Sequence, residues 1–470
     1  MPCRLGVDAG TSELRVVVYR SSNGGRIGAC RMPVPIEVDG DRREVDFETV
    51  GATLDLALDA VGSAIPHGAR VERIGIATTA STVAVVEPTG RPLTRGVLWA
   101  DHRATREADA IRAVGHPNLR RMLDHVSPEW GIAKMLFLDR VGALAGRPDA
   151  KVVELVDWLG HRLTGRWLAS AGVREWGWAG GDDGRVPHDL LASVGGKASL
   201  AGRAIEPAAV SGSVHGQTSP SVARRHPWLA EAVILVGGMD SHLAALGMGV
   251  AENGRLAISV GSSSAILAGV GAGDASGHLN GPLRRILPGD PGGYWQGGQT
   301  TAGLAADWAA GILDRSRAAL ERRAATVLAG SGGVTFRETL LDRRTPSPRA
   351  PMRGRWTGLG LEHGPGHLYR SVLEGVALGI AEAVEPLRPA SVVATGGMLR
   401  SGLFAQILAD VLGSPVGLLR SGETATLGAA FADAPGRISR LNPITRSIDP
   451  SGTDYSAVRA RHRALGTEPA

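Results

Sequence analysis

The sequence has few cysteines, few aromatic residues and no long hydrophobic run, and each absence excludes a class of protein. Only two cysteines, Cys3 and Cys30, occur in 470 residues, which excludes a disulfide framework and a cysteine metal site. No apolar run approaches transmembrane length, and the N-terminus lacks the core of a signal peptide. We therefore expect a cytoplasmic protein with no membrane partner.

Basic residues exceed acidic ones, giving a formal net charge of +5, but aromatic residues make up only 4% of the chain. The arginines are scattered among acids or lie in predicted helices, whereas nucleic-acid binding favours clustered basic residues, with stacking aromatics for single strands. We expect no nucleic-acid partner. A basic cleft for a phosphorylated ligand stays compatible with this charge.

The length and the alternation of patterns predict a two-domain α/β protein. A chain of 470 residues is too long for one core. Short apolar runs alternate with helical periodicity, as expected when helices flank a sheet. The runs are Val71–Thr78, Val83–Val86 and Val233–Val236, and the helical patterns are Arg103–Val114 and Trp130–Leu144. We place the domains at residues 1–245 and 246–470.

The opening stretch "LGVDAGTSELRVVVYR" places polar residues at a bend between two apolar strands. The polar and small residues are Asp8, Gly10, Thr11, Ser12 and Arg15. Glycine lets backbone N–H groups approach a ligand closely, and small hydroxyls add donors without bulk. Taken alone, the stretch favours a tight hairpin with a solvated acid over a ligand site.

Two later stretches supply possible partners for this hairpin. "GRLAISVGSSSAILAGV" repeats the order strand, small-residue turn and strand, with Gly261, Ser262 and Ser263 at the turn. Two such hairpins facing one another would surround a polyphosphate with backbone donors. In "SVVATGGMLRSGLF", Gly396 and Gly397 open a strand-to-helix turn, where a flat nucleoside could lie against backbone.

In this order the motifs resemble those of the FGGY carbohydrate kinases. "DAGTSELR" and "VGSSSA" are similar to the two phosphate motifs of that family, "ATGGMLRSGLFAQILADVLGSPV" to its adenosine motif, and "GETATLGAA" to the segment that follows. The resemblance implies two actin-like (ribonuclease H-like) ATPase domains with an interdomain cleft, and the use of ATP with Mg²⁺. The nucleotide and phosphate contacts that it implies are Asp8, Gly10, Thr11, Ser12, Arg15, Gly261, Ser262, Ser263, Gly303, Gly396, Gly397 and Ser401.

Asp240, in "LVGGMDSHLAALGMGV", follows a strand and two glycines and opens a small-residue helix. That position alone allows a helix-capping aspartate. The resemblance implies that Asp240 is the general base that takes the proton from the acceptor hydroxyl, since an alcohol is a poor nucleophile without one. Asp8 and Asp240 are then the expected metal-linked carboxylates.

The resemblance also directs attention to the acceptor site, at Thr79, Ala80, Ser81 and Thr82. Glycerol kinases carry an Arg-Glu pair there and xylulose kinases carry Gln-Met-His-Gly, and this chain has neither. Short neutral side chains are more similar to those of ribulose-type kinases. Asp101 and Asp240 complete the expected substrate contacts, although a salt bridge between Asp101 and a neighbouring arginine is an equal alternative.

We therefore expect an ATP-dependent kinase of a ketopentose such as ribulose, acting as a monomer or homodimer on small molecules. The alternatives are a kinase for xylulose or another polyol, and a weakly active sugar-binding homologue with slow ATPase activity.

Overall fold

The computed structural model describes residues 1–123, 126–181, 184–196, 198–252, 254–288, 292–341, 343–346 and 353–466. Its strands are β1 (Pro2–Ala9), β2 (Glu13–Arg20), β3 (Arg26–Pro33), β4 (Ile36–Asp39), β5 (Arg42–Val45), β6 (Arg70–Thr78), β7 (Val83–Val86), β8 (Gly96–Val97), β9 (Lys151–Glu154), β10 (Ala169–Ser170), β11 (Ala208–Ala209), β12 (Val214–Gln217), β13 (Val233–Leu235), β14 (Gly238–Met239), β15 (Arg255–Val260), β16 (Ser264–Gly269), β17 (Asn280–Leu283), β18 (Tyr294–Gly297), β19 (Thr335–Arg337), β20 (Arg355–Thr357), β21 (Ser391–Thr395), β22 (Val416–Leu419) and β23 (Ile444–Ile448).

The α-helices are α1 (Phe47–Gly62), α2 (Thr105–Val114), α3 (Gly131–Arg140), α4 (Leu155–Thr164), α5 (Ala171–Gly177), α6 (His188–Ser193), α7 (Pro220–Arg225), α8 (Asp240–Gly247), α9 (Gly303–Ile312), α10 (Arg317–Ala324), α11 (Pro365–Val384), α12 (Gly402–Leu412), α13 (Thr424–Ala430), α14 (Ile438–Leu441) and α15 (Ser456–Leu465). The predicted alternation of strands and helices is present. The helix predicted over Trp130–Leu144 ends at Arg140, because Gly142 adopts a positive φ that closes a turn there.

The chain forms two compact units. The first contains Met1–Ala251, Leu283–Gly293 and Glu423–Asn442, and the second contains the remaining described segments from Glu252 onward. The sequence placed the domains at residues 1–245 and 246–470. It gave no signal that two later segments pack with the first unit.

The first unit is built on a twisted sheet with the order β12-β13-β6-β1-β2-β3, and β14 also pairs with β6. β1 and β2 form an antiparallel hairpin, while β6 lies parallel to β1. Helix α1 packs on β2 and β3. A smaller sheet, β4-β5-β8-β7-β9, accompanies the main one.

Helix α13 packs on the main sheet of the first unit through glycines. A Cβ at Gly6 of β1 would lie 2.0 Å from the Thr426 carbonyl oxygen, and one at Gly75 of β6 would lie 1.8 Å from that of Ala429. Side chains at these positions would push the helix off the sheet. Late residues of the chain therefore belong to the core of the first unit.

The second unit contains a sheet of similar design, with the order β17-β18-β16-β15-β21-β22-β23. β15 and β16 form its hairpin, and β21 lies parallel to β15. One apolar core joins this sheet to helices α9, α11 and α12. Within the described residues, no helix combines the length and the apolar character needed to span a bilayer.

Candidate active site

Parallel strands bring two carboxylates to one edge of the first sheet. β6 lies between β1 and β14, with Ala77 level with Asp8 on one side and with Gly238 on the other. Asp240 begins helix α8 directly after β14. Since the carboxyl ends of parallel strands meet at one edge, Asp8 and Asp240 stand on either side of the end of β6.

Asp8 is buried and only partly neutralised. Its side chain is 9% exposed, and its Oδ2 lies 3.5 Å from Nη1 of Arg15, its cross-strand partner. Burial raises the pKa of Asp8 to about 7, with a further increase from the charge of Asp240 and an opposing effect from Arg15. Such a raised pKa is common where carboxylates serve function.

Asp240 lies at the start of a helix, with its Oδ1 accepting a hydrogen bond of 2.6 Å from the Ser241 backbone N–H. Burial raises the pKa of Asp240 to about 6, opposed by this hydrogen bond and by Arg15. A carboxylate with a pKa near neutral pH is well matched to accept a proton. Met239 is the N-cap of helix α8 and Asp240 is its first residue, so the capping alternative for Asp240 is wrong. The bond to Ser241 uses Oδ1 and leaves Oδ2 for another role.

The bend of the first hairpin is fixed by few contacts. The Gly10 N–H donates to the Glu13 carbonyl oxygen at 3.0 Å, and Glu13 holds Nε of Arg15 at 2.6 Å. The indole N–H of Trp99 donates to the Thr11 hydroxyl at 2.9 Å, whereas Ser12 is exposed. The bend therefore presents backbone and hydroxyl groups next to Asp8.

The expected acceptor segment follows β6 directly and is mostly buried. Thr79 is 5% exposed, Ala80 8% and Ser81 0%, and the Thr79 N–H donates to the Ala9 carbonyl oxygen at 3.1 Å. The hydroxyls of Thr79 and Thr82 lie 2.9 Å apart. All four residues of the segment are buried, with slight exposure at Thr79 and Ala80 and none at Ser81 and Thr82.

Asp101 forms the alternative interaction, an ion pair with a neighbouring arginine. Its carboxylate is buried and accepts from Nε and Nη2 of Arg103, at 3.0 Å and 2.7 Å. It also accepts from the backbone N–H of Arg43 at 2.8 Å. These bonds occupy both carboxylate oxygens, and a contact between Asp101 and substrate stays a prediction.

In the second unit, the turn Gly261–Ser263 between β15 and β16 is held from below by helix α9. The N–H of Gly303 donates to the Gly261 carbonyl oxygen at 2.8 Å, and that of Leu304 to the Ser262 carbonyl oxygen at 3.0 Å. A Cβ at Gly303 would lie 2.6 Å from the Gly261 oxygen. Gly303 thus supports the hairpin, while Ser262 is exposed on it.

Gly396 and Gly397 follow β21, beside the same hairpin. Gly396 has a φ of 111°, and a Cβ there would lie 2.4 Å from the Val260 carbonyl oxygen, whereas a Cβ at Gly397 would meet open space. Ser401 caps helix α12 by accepting from the Phe404 N–H at 3.0 Å. Gly396 therefore permits close packing, Gly397 leaves an open surface, and the Ser401 hydroxyl serves the helix.

Asp8 and Asp240 fit a magnesium ion whose remaining ligands are waters and substrate phosphates. Among the described residues, no group of three or more His, Cys, Asp or Glu side chains could enclose a metal. Mg²⁺ is usually held by one or two carboxylates together with waters and substrate phosphates. Oδ1 of Asp8 is buried and has no hydrogen-bond partner in the described part of the chain, so this oxygen can accept a water or a metal.

Sequence reasoning missed four buried residues beneath the acceptor segment, namely Lys134, Glu154, Arg174 and Trp178. The Trp178 indole N–H donates to Glu154 at 2.7 Å. Its ring lies 4.2 Å from the Arg174 guanidinium. The Arg174 Nη atoms make no hydrogen bond to any described residue, and Asp157 lies 3.8 Å from Nη2. The available sequence signal was Lys134, a charged residue within the helical pattern Trp130–Leu144.

Two family models match the chain. Residues 3–247 match the N-terminal domain of the FGGY family of carbohydrate kinases, and residues 256–434 match its C-terminal domain. Together the two matches span most of the chain.

Curated relatives with nearly equal sequence identity to this chain are named as kinases of different acceptors. The chain is 28% identical to a glycerol kinase of Citrifermentans bemidjiense, with 91% of this chain and 88% of that protein covered. It is 27% identical to a xylulose kinase of Klebsiella pneumoniae, with coverage of 93% and 92%. It is also 27% identical to a ribulokinase of Mycolicibacterium smegmatis, with coverage of 98% and 93%. These identities do not distinguish the acceptor.

A solved xylulose kinase from Rhodospirillum rubrum has the same fold. The TM-score is 0.83 at 23% sequence identity, and the match covers 98% of this chain and 96% of that one. The likeness confirms the predicted pair of actin-like ATPase domains.

Proposed function

The chain belongs to the FGGY family of carbohydrate kinases, and we propose that it transfers the γ-phosphoryl group of ATP to a hydroxyl of a ketopentose such as ribulose. The observation that carries this proposal is the placement of Asp8 and Asp240 on either side of the β6 end. Two carboxylates with raised pKa values there provide a proton acceptor and a metal-linked acid next to an acceptor segment.

In this proposal Asp240 is the general base. Its Oδ2 takes the proton of the acceptor hydroxyl as the oxygen attacks the γ-phosphorus, the bond to the β-phosphate oxygen breaks and ADP leaves. General-base assistance contributes about 10²–10⁴-fold to the rate. The Ser241 N–H supports this role, because its bond to Oδ1 fixes the orientation of the carboxylate.

Asp8 and the two hairpins are the proposed phosphate and metal groups. Mg²⁺, when bound, neutralises charge on the phosphate oxygens that develops during transfer. Oδ1 of Asp8 would hold that ion directly or through water, and Arg15 beside it adds a positive charge. The Gly10 and Gly261 N–H groups already donate to the Glu13 and Ser263 carbonyl oxygens. The next backbone N–H groups, at Thr11–Ser12 and Ser262–Ser263, would bind phosphate oxygens. The open face at Gly397 would accept the nucleoside.

The acceptor preference rests on Thr79 and Ala80, the two buried residues of the segment after β6 that keep slight exposure. Small neutral side chains leave room for a ketopentose and offer a hydroxyl to bind one of its hydroxyls. A site built to bind a substrate hydroxyl can reject an analogue that lacks it by about 10⁴-fold. We therefore expect ribulose to be preferred over xylulose, and both over glycerol.

The test is a coupled assay of ADP release with ATP and Mg²⁺. D-ribulose, L-ribulose, D-xylulose, glycerol and gluconate are each supplied below saturation, and kcat/KM is compared. The highest value for a ribulose supports the proposal, and a clear preference for glycerol or a hexose derivative contradicts it. ADP release that no acceptor increases would favour the weakly active homologue instead.

A further inference from the structure

A buried lysine lies directly beneath the acceptor segment. Lysine is rare in this chain, and Lys134, on helix α3, is 0% exposed. Its Nζ donates a hydrogen bond to the carbonyl oxygen of Ser81. Burial lowers the pKa of Lys134 to about 8, partly offset by the charge of Glu154. A buried charge is costly unless it is paired, so this lysine requires an explanation.

Glu154 holds the other end of the same peptide group. This residue ends β9, is 1% exposed and accepts from the Thr82 backbone N–H at 3.0 Å through Oε2. The Ser81 carbonyl and the Thr82 N–H belong to one peptide unit, so an ammonium group binds one end and a carboxylate binds the other. Oε1 of Glu154 is held in turn by the Trp178 indole N–H at 2.7 Å.

The clamped peptide determines where the accessible part of the segment lies. The Thr79 hydroxyl is 2.9 Å from that of Thr82, so a shift of the 81–82 peptide moves the Thr79 side chain with it. The Thr79 backbone is fixed at its other end by the Ala9 carbonyl oxygen. Asp240 follows Met239, which is level with Thr78. Thr79 and Asp240 are therefore each the first residue after the last paired position of their strands, at the same end of the sheet.

We propose that Lys134 and Glu154 are positioning residues, which clamp the Ser81–Thr82 peptide so that Thr79 and Ala80 face the acceptor beside Asp240. This inference rests on the proposed function for its acceptor. Charge-assisted hydrogen bonds suit this role, because they are shorter and stronger than neutral ones. Apolar residues of similar volume often match a buried ion pair in stability but could not fix a peptide plane.

The test compares Lys134→Met with Lys151→Met in the full chain. Lys151 is the matched control, because its Nζ also donates to a backbone carbonyl, that of Gly202, at 3.0 Å. Hydrogen exchange of the peptide covering residues 77–84 needs no substrate. We expect exchange to become about tenfold faster or more in Lys134→Met and to stay unchanged in the control.

Kinetics with ATP and D-ribulose, L-ribulose, D-xylulose or glycerol form the second measurement. For the acceptor that the wild-type chain uses best, we expect the acceptor KM to rise about tenfold or more in Lys134→Met, with the ATP KM within about twofold. A general loss of folding would instead lower the fraction of active protein, and with it the apparent kcat, and would leave both KM values unchanged.

The double variant Lys134→Met, Glu154→Gln separates positioning from stability. Removing both buried charges should keep the melting temperature close to that of the wild type, while exchange stays fast and the acceptor KM stays high. Wild-type exchange in Lys134→Met, or an acceptor KM restored in the double variant, would overturn the inference. A wild-type chain that phosphorylates none of the four acceptors contradicts the proposed function, while exchange still decides whether the clamp exists.

Discussion

The two units of the molecule share a sheet design but carry different residues at the ends of their strands. β3-β2-β1-β6-β13-β12 in the first unit corresponds in order and direction to β18-β16-β15-β21-β22-β23 in the second. Asp8 faces Arg15 in the first hairpin, whereas the equivalent pair in the second hairpin is Ser259 and Ala265. The scaffold is repeated, and the charges are not.

The third parallel strand shows the same contrast. Continuing each register past the last paired residues, Asp240 in the first unit corresponds to Ser421 in the second. By the same counting, Thr79 of the acceptor segment corresponds to Gly397. Acidic groups repel phosphate unless they bind a metal or accept a proton. Confining the acids to the first unit thus leaves the second unit compatible with a polyanion.

The largest expected effect comes from giving the first unit the residue of the second at the catalytic position. Asp240→Ser, and Asp240→Asn as the isosteric variant, cannot accept the acceptor proton. We expect kcat to fall by about 10²–10⁴-fold, with the ATP KM changed by less than about threefold. Steady-state kinetics of ADP release measure both.

The matched control is Asp274→Asn, since Asp274 is an acid of the second unit bound to Ser276 at a surface turn. It should leave kcat unchanged. A kcat close to that of the wild type in Asp240→Asn would show that Asp240 is not the general base. The difference between Asp240 and Ser421 would then have no catalytic significance.

The next largest effect is expected from Asp8→Ser, which makes the two hairpins alike at this position. If Asp8 holds Mg²⁺ directly or through a water, the Mg²⁺ concentration for half-maximal rate should rise about 10–100-fold. Titration of the initial rate with MgCl₂ at saturating ATP measures this. Ser259→Ala is the control in the second hairpin, and an equal shift there would contradict the asymmetry.

The sequence alone predicted the parts of this comparison that depend on local pattern. The two hairpins, the glycines after β21 and the position of Asp240 at a strand-to-helix turn all follow from short apolar runs and small residues. Long-range packing could not be read in this way. The docking of α13 on Gly6 and Gly75 joins segments about 350 to 420 residues apart, and the clamp between Lys134 and Glu154 depends on tertiary contact of separate elements.

A smaller effect is expected at the glycine pair of the second unit. Gly396→Ala places a Cβ 2.4 Å from the Val260 oxygen at a φ of 111°, a strain of about 1–3 kcal/mol. Because Val260 adjoins the second hairpin, we expect weaker ATP binding and a lower melting temperature. Gly397→Ala, which meets open space, should retain the melting temperature. Calorimetric titration with ATP and thermal melts distinguish the two, and equal losses would contradict the packing argument.

The smallest expected effect is a shift in pH dependence when Arg15→Ala gives the first hairpin the residue that Ala265 provides in the second. Arg15 lowers the pKa of both Asp8 and Asp240, which burial raises to about 7 and about 6. Both carboxylates must be ionised for the proposed mechanism, so kcat/KM in the wild type should rise with pH across this range.

Without Arg15 both pKa values increase further, and the rising limb should move to higher pH, with little change in the rate above it.

Stability gives an independent measurement. A carboxyl whose pKa is higher in the folded state than in the unfolded state binds more protons when folded, so its contribution to stability declines as pH rises from about 4 to 7. The melting temperature of Arg15→Ala should therefore fall more steeply with pH than that of the wild type, and more steeply than that of Arg26→Ala, which removes an exposed arginine of β3. If the rising limb of the kcat/KM profile lies at the same pH in Arg15→Ala as in the wild type, Arg15 does not set the charge difference between the two hairpins.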